Sequence, residues 1–312
     1  FQAEDGIRDR SPSRGLGDVY KRQAEDEAEI YSHLDLQWVP PELREDSGEI
    51  EAAETGSLPN LMEASMLKGA FHNHTTASDG TATLSQMAQA AQDLGWEFLG
   101  IADHSQILQI ASGLSPDELV AQAAEVRALN ENWADKGVDF RLFHGNECDI
   151  LPDGGLDYTD EERNILDHVV GSVHQLPTWM KRDEDVNTEA LIRAIENPSL
   201  TILGHPTGRI LGGRDGFAVD LHAVIRRMGE LNAEGELKVV EINASPYRLD
   251  LDWRYCRFAK EQGVPISINP DAHSQQGLKD VWFGAQIARK GWLEETDILN
   301  CRSGSDLEQL LW

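Results

Sequence analysis

The chain has 312 residues, 40% hydrophobic and 26% charged, which suits a globular fold and excludes a chain too polar to bury a core. Its formal charge of −28 excludes a protein that coats nucleic acid with a basic surface, because such binding comes from Lys and Arg neutralising phosphates. It leaves room for a phosphate-ester substrate, since divalent cations in a site reverse the local field. No run of about 18 apolar residues occurs, which excludes a membrane-spanning helix. The three cysteines, Cys148, Cys256 and Cys301, are far apart and odd in number, which argues against a disulfide framework and for a reducing, cytoplasmic setting.

Residues 1–23 show neither helical nor strand periodicity. They resemble translated adapter sequence, lack the apolar core of a signal peptide, and are expected to be non-native, with the native chain beginning further upstream. Residues 24–67 read as an extended acidic linker between domains. From Ala24 to Glu63 there are 12 Asp or Glu against the single Arg44, with Pro40, Pro41, Gly48, Gly56 and Pro59 interspersed. The apolar residues embedded there, Trp38 and Leu43 among them, suggest that the linker packs along a surface.

After Leu67, short runs rich in Val, Ile and Phe alternate with longer amphipathic segments, the pattern of an α/β protein with a parallel sheet. The clearest helix follows Thr83, which can cap it together with Gln86, and stops at Gly95; its predicted buried stripe is Met87, Ala88, Ala91 and Leu94. Seven strands are predicted: 69–72, 98–102, 140–143, 168–173, 200–203, 238–242 and 265–268. Each runs into polar residues, and barrels of alternating strands and helices assemble their sites at the C-terminal strand ends.

Nine residues at or near those ends form a candidate metal-ligand set: His72, His74, Asp79, His104, Glu147, His174, His205, Asp271 and His273. A histidine taken alone is more often a hydrogen-bonded structural residue, but the set follows the strand ends too closely for independent placement. His72 and His74, like Asp271 and His273, are alternate residues that share a face in extended chain. Asp79 lies in Ser78-Asp79-Gly80, where the glycine permits a turn back over the site, although an ordinary turn aspartate reads the same way. Asp103 could orient His104 from behind. Glu147 has two oxygens, enough to bridge two ions.

Such a set suits two or three divalent ions of the manganese, zinc or iron type. Several ions together favour phosphoester hydrolysis, with a metal-bound water as the nucleophile. No serine or cysteine stands in a nucleophile elbow and no glycine-rich phosphate loop with lysine occurs, so no separate protein nucleophile is expected. Arg209 and Lys181 are predicted substrate-phosphate contacts, because each follows a ligand-bearing strand. Cys148 is expected to be a small buried residue, and Trp253 and Trp282 to pack in the core or an interface.

All nine ligand positions resemble those of the polymerase and histidinol phosphatase (PHP) superfamily, over about 68–278. The resemblance implies an irregular seven-stranded, TIM-like α/β barrel over 68–312 with a trinuclear metal centre. GHPTGRILGGRDG, EINASPYRLDLDWR, INPDAHS and FGAQIARKGW resemble more closely the C-terminal domain of bacterial family X DNA polymerases, and WVPPELREDSGEIEAA resembles the preceding linker. That resemblance implies manganese-dependent action on DNA 3′ ends, as 3′-5′ exonuclease or 3′-phosphatase in DNA repair, with a polymerase domain as partner in the full-length protein. The run QLPTWMKRDEDVN after His174 departs from the family pattern, which puts substrate contacts there in doubt. A small-molecule phosphatase of the histidinol-phosphate type is the alternative, and a noncatalytic scaffold is a third reading.

Overall fold

The computed structural model describes residues 24–311. The chain forms two compact units, divided between Leu58 and Pro59. Residues 1–23, expected to be adapter-like, lie outside the described residues.

The described part of the first unit is locally folded where an extended linker is predicted. Helix α1 (Glu27–Ser32) begins at Asp26, whose carboxylate accepts from the Glu29 N–H at 2.9 Å. Helix α2 (Glu49–Thr55) runs between two left-handed glycines, Gly48 and Gly56. Arg44 closes the segment: both terminal nitrogens reach the Glu27 carboxylate at 2.7 Å, and the guanidinium also donates to the Val39 carbonyl. Caps and this bidentate pair give short structure to a sequence whose composition reads as linker.

In the second unit, α3 (Leu84–Asp93) carries the expected Thr83–Gln86 capping box, and Gly95 follows it at φ +77°. Its buried stripe is Leu84, Met87, Ala88 and Ala91; Leu94 is 38% exposed and lies off that face, contrary to expectation. Strands and helices then alternate: β1 (Phe98–His104), α4 (Pro116–Asp135), β2 (Arg141–Asp149), α5 (Asp160–Arg163), β3 (His168–Ser172), α6 (Leu176–Trp179), α7 (Glu184–Ile195) and β4 (Ile202–Leu203). They continue through α8 (Leu221–Ala233), β5 (Val239–Asn243), α9 (Trp253–Glu261), β6 (Ile266–Asn269), α10 (Val281–Lys290) and α11 (Gly304–Leu311). The strands form one parallel sheet in the order β1 to β6.

The expectation of seven strands is corrected to six among the described residues. Residues 69–74 lie beside β1, which donates from Gly100 N–H to Ala70 O and from Ala102 N–H to Asn73 O. Their other edge is held by side-chain amides: Asn269 accepts from the Phe71 N–H at 2.9 Å, and Asn300 donates to Gly69 O at 3.1 Å. Amides that replace the backbone ladder prevent a regular strand, and only an isolated bridge, Asn73 to Ala272, joins the segment towards β6. Gly69 permits the close approach, since a β-carbon there would stand 2.3 Å from the Phe98 carbonyl oxygen.

Period-two alternation sorts the inner face of the sheet into layers. On β2, Phe143, Gly145, Glu147 and Asp149 share one face; on β1, Phe98, Gly100, Ala102 and His104 do; on β5, Val239, Glu241 and Asn243 do. Phe71, Phe98, Phe143, Val170, Ile202 and Val239 pack as an apolar cluster at the amino-terminal side of the strands. The polar residues of the same faces therefore meet at the carboxyl ends. A larger apolar layer, with Met87, Leu99, Ile101, Val224 and Ile268, lies between sheet and helices.

Candidate metal centre

All nine predicted ligands meet in one contiguous cluster. Glu147, at the carboxyl end of β2, is 1% exposed and is its hub. Its Oε1 lies 2.8 Å from His205 Nε2, 3.1 Å from His174 Nε2 and 3.3 Å from His72 Nε2. Its Oε2 lies 2.9 Å from His104 Nδ1 and 3.6 Å from His74 Nε2. Asp271 Oδ1 stands 3.1 Å from His74 Nε2 and 3.6 Å from both His72 and His273. Asp79 closes the rim at 3.4 Å from His273 and 3.5 Å from His104. The imidazoles also stack, His74 on His273 with ring centres 4.2 Å apart.

The backbone is bent to bring these groups in. His205 and Asp271 follow β4 and β6 with positive φ, 21° and 53°, a region where non-glycine residues are uncommon and which is often occupied at functional sites. Asp103 does not orient His104 as expected. Its carboxylate accepts from the Thr75 N–H and hydroxyl at 2.7 Å, from the Ser78 hydroxyl at 2.5 Å and from Gln122 at 2.6 Å. It therefore anchors the loop that delivers Asp79.

Three groups behind the ligands, two of them buried, are not among the residues predicted from sequence. Glu241 is fully buried; it accepts from His72 Nδ1 at 2.8 Å and from the His205 N–H at 2.7 Å, which turns His72 Nε2 inward. Asp149 lies 3.2 Å from His174 Nδ1. Arg248 Nε lies 3.3 Å from Asp271 Oδ2, which also accepts from Asn243 at 3.0 Å. The available signal was a Glu inside the apolar strand VVEIN and an Asp two residues after Glu147, both on site-facing positions.

The electrostatics follow from this crowding. Burial alone would pull His104 and His174 down; Glu147, seconded by Asp79 and Asp149 respectively, pushes them up to about 10 and about 9. Burial and the neighbouring His104 lower His74 to about 4. Burial opposes ionisation of Glu147, yet the surrounding imidazoles hold it well below the carboxylate range.

The residues fit divalent cations. Three groups of side chains place ligand atoms within 4.8 Å of one another: His74, Asp79, His104 and His273; His72, His74 and Glu147; and His104, Glu147 and His174. Buried His72 Nε2, His74 Nδ1, His104 Nδ1, His174 Nδ1 and His205 Nδ1 have no well-formed hydrogen bond among the described residues. Leaving buried imidazole nitrogens unpaired is costly, and a cation removes that cost wherever a lone pair faces it. A PHP domain matches residues 70–245, the stretch that carries seven of the nine ligands.

The chain belongs to the PHP domain family. A DNA polymerase beta thumb matches residues 3–45, across the segment predicted as adapter-like and part of the predicted linker. The chain is 39% identical over 285 residues to the DNA polymerase/3'-5' exonuclease PolX of Bacillus subtilis, covering 91% of this chain and 48% of that protein. It thus spans about half of that relative's length. It is 26% identical to a probable phosphatase of Thermoanaerobacter sp. strain X514 over 77% of this chain and 92% of that one. The crystal structure of histidinol phosphate phosphatase from Lactococcus lactis, complexed with zinc, L-histidinol and phosphate, aligns at 16% identity with a TM-score of 0.49, over 70% of this chain and 93% of that one. Membership of the PHP family, with phosphatase and exonuclease relatives, makes this chain a metal-dependent hydrolase of phosphate esters.

The two predicted substrate contacts fall elsewhere. Arg209 turns away from the cluster: its guanidinium donates to the carbonyls of Arg248 and Leu249 and to Asp252 Oδ2 at 3.0 Å, clamping the 248–252 loop. Lys181 is exposed in the turn after α6 and touches none of the nine. Cys148 is buried as expected, its thiol against the Asp157 carbonyl at 3.0 Å, and all three cysteines are free. Trp282 is 54% exposed and is not core. Among the described residues, no helix is long and apolar enough to cross a membrane.

Proposed function

We propose that this chain hydrolyses phosphodiester or phosphomonoester bonds at DNA 3′ ends, as a 3′-5′ exonuclease or 3′-phosphatase acting in cytoplasmic DNA repair, and that it is the phosphoesterase part of a family X polymerase. The observation that carries the chemistry is Glu147, one buried carboxylate within 3.6 Å of five imidazoles. The three overlapping ligand groups, which take in seven of the nine residues, support a reading of two or three divalent ions, manganese, zinc or iron, with His205 and Asp271 completing the set. When bound, such ions stabilise charge on the phosphate and the leaving oxygen and make water a stronger nucleophile.

The protein's own part is placement. Glu241 fixes the imidazole of His72 from behind, Asp149 places a negative charge 3.2 Å from His174, and Arg248 with Asn243 fixes the Asp271 carboxylate. The DNA 3′ end as substrate is supported by the likeness to PolX along nearly the whole chain and by the thumb match at 3–45, which also supports a polymerase domain as partner. The part of the predicted linker beyond the thumb match, residues 46–67, then connects that domain to the phosphoesterase.

Elemental analysis followed by manganese-supported release of nucleotides from 3′-recessed DNA tests the reading, with Asp271→Ala as control. Bound ions and mutant-sensitive release are expected. Metal with turnover of small phosphomonoesters alone would replace DNA by a small-molecule substrate, the reading that the probable-phosphatase relatives favour. A metal-free, inert protein would leave a scaffold.

A further inference from the structure

Next to the metal centre lies a cavity of about 700 Å³, separate from the ligand cluster and lined by Thr207, Arg209, Leu211, Arg214, Asp252 and Arg254 among others. Thr207 is two residues beyond His205, and Arg248, which touches Asp271, couples electrostatically to both His205 and Arg214. The lining of the cavity thus comes within two residues of a ligand position. Its lining carries three arginines, Arg209, Arg214 and Arg254, alongside three carboxylates, Glu184, Asp215 and Asp252.

Those cations are not equivalent. Arg209 and Arg254 share the carboxylate of Asp252. Arg214 spends only its Nε, on the Gly208 carbonyl at 3.1 Å, and has no acidic partner among the described residues. Burial, and then the Arg248 charge, hold its guanidinium below the ordinary range, which is how a cation without an anion behaves. The loop that carries it is tied to the neighbouring loop by the Leu211 N–H, which donates to the Tyr247 carbonyl at 2.7 Å. Tyr247 is 71% exposed, and its hydroxyl has no hydrogen-bond partner among the described residues. An exposed aromatic ring and an arginine without an acidic partner, on loops joined by that backbone bond, are the two kinds of group that hold a single strand, the ring under a base and the cation on a phosphate.

We propose that this cavity and Tyr247 form a strand-binding subsite for single-stranded DNA entering the metal centre, with Arg214 on a phosphate preceding the scissile one and Tyr247 stacked on a base. The proposal rests on the DNA 3′-end reading above and assigns it a specificity element apart from the metals.

The test uses the full chain and a 5′-labelled single-stranded oligonucleotide. Tyr247→Ala and Arg214→Ala are each expected to raise the KM for the oligonucleotide roughly tenfold with kcat within about twofold. Fluorescence anisotropy in an Asp271→Ala background is expected to show the same loss of binding, and Arg214→Ala should lower the salt slope by about 1. Tyr247→Phe should restore binding, because stacking needs the ring and not the hydroxyl. Wild-type affinity and KM in both alanine variants would overturn the subsite while leaving the DNA reading intact. A wild-type chain that neither binds nor cuts the oligonucleotide would overturn both.

Discussion

Two carboxylates differ in kind although both are buried among histidines. Glu147 faces five imidazoles and leaves several of their nitrogens unpaired, whereas Glu241 is satisfied by His72, Asn269, Asn243 and the His205 N–H. The first has ligand geometry and the second is a support. Glu147→Gln is expected to abolish stoichiometric metal binding, read by elemental analysis of the purified chain. Glu241→Gln is expected to weaken metal affinity about 10- to 100-fold through misorientation of His72, read by competition with a chelator of known affinity. An unchanged affinity in Glu241→Gln would remove its positioning role. Arg209 shows what a residue reading lacks: its place after a ligand-bearing strand suited a phosphate contact, but its donors are consumed by the 248–252 loop.

The strands are organised so that glycine and aromatic residues alternate below the polar layer. Gly145 of β2 stands opposite His168 of β3, and a β-carbon there would lie 2.3 Å from the His168 ring. His168 is held by its Nε2 against the Phe71 carbonyl at 3.0 Å, so the ring cannot retreat without losing that bond. Gly145→Ala is expected to destabilise the domain by about 1–3 kcal/mol in urea unfolding. Adding His168→Ala should recover part of that loss, and purely additive effects in the double variant would show that the two residues do not compete for space. The alternation of β and α segments and the α3 caps were legible, because both are local. The irregular 69–74 segment was not, because Asn269 and Asn300 replace its ladder from about 200 residues away or more.

For the molecule as a whole, stability should depend on pH in two opposite ways when metal is absent. Burial lowers His144 and His168 to about 4, below the ordinary value of 6.5. The unfolded chain then binds more protons between those values, so stability rises with pH across that window, by about 1 kcal/mol per histidine between pH 5.5 and 7. His104 and His174, pushed up to about 10 and about 9, act in reverse: their contribution is complete below 6.5 and is lost as pH rises through 9 to 10. Chemical denaturation of chelator-treated protein should therefore peak near neutrality, and a monotonic profile would contradict the assignment. Manganese should raise the stability at pH 7 by about 2.7 kcal/mol at a hundredfold excess over Kd, reversibly with chelator.

Side-chain identities and the period of two were enough to name nine residues that converge, because a strand's inward face and its polar end are both written locally. The helix after Thr83 and the buried, unreactive Cys148 were legible for the same reason. Tertiary structure alone decided which carboxylate is the hub, that Asp103 anchors a loop, that Arg209 clamps another, and that Arg248 braces Asp271. Each of those depends on the curvature of the sheet and on hydrogen bonds between groups from different strand ends. Local periodicity does not encode such contacts, since any of several polar groups at one strand end can satisfy any of several at the next.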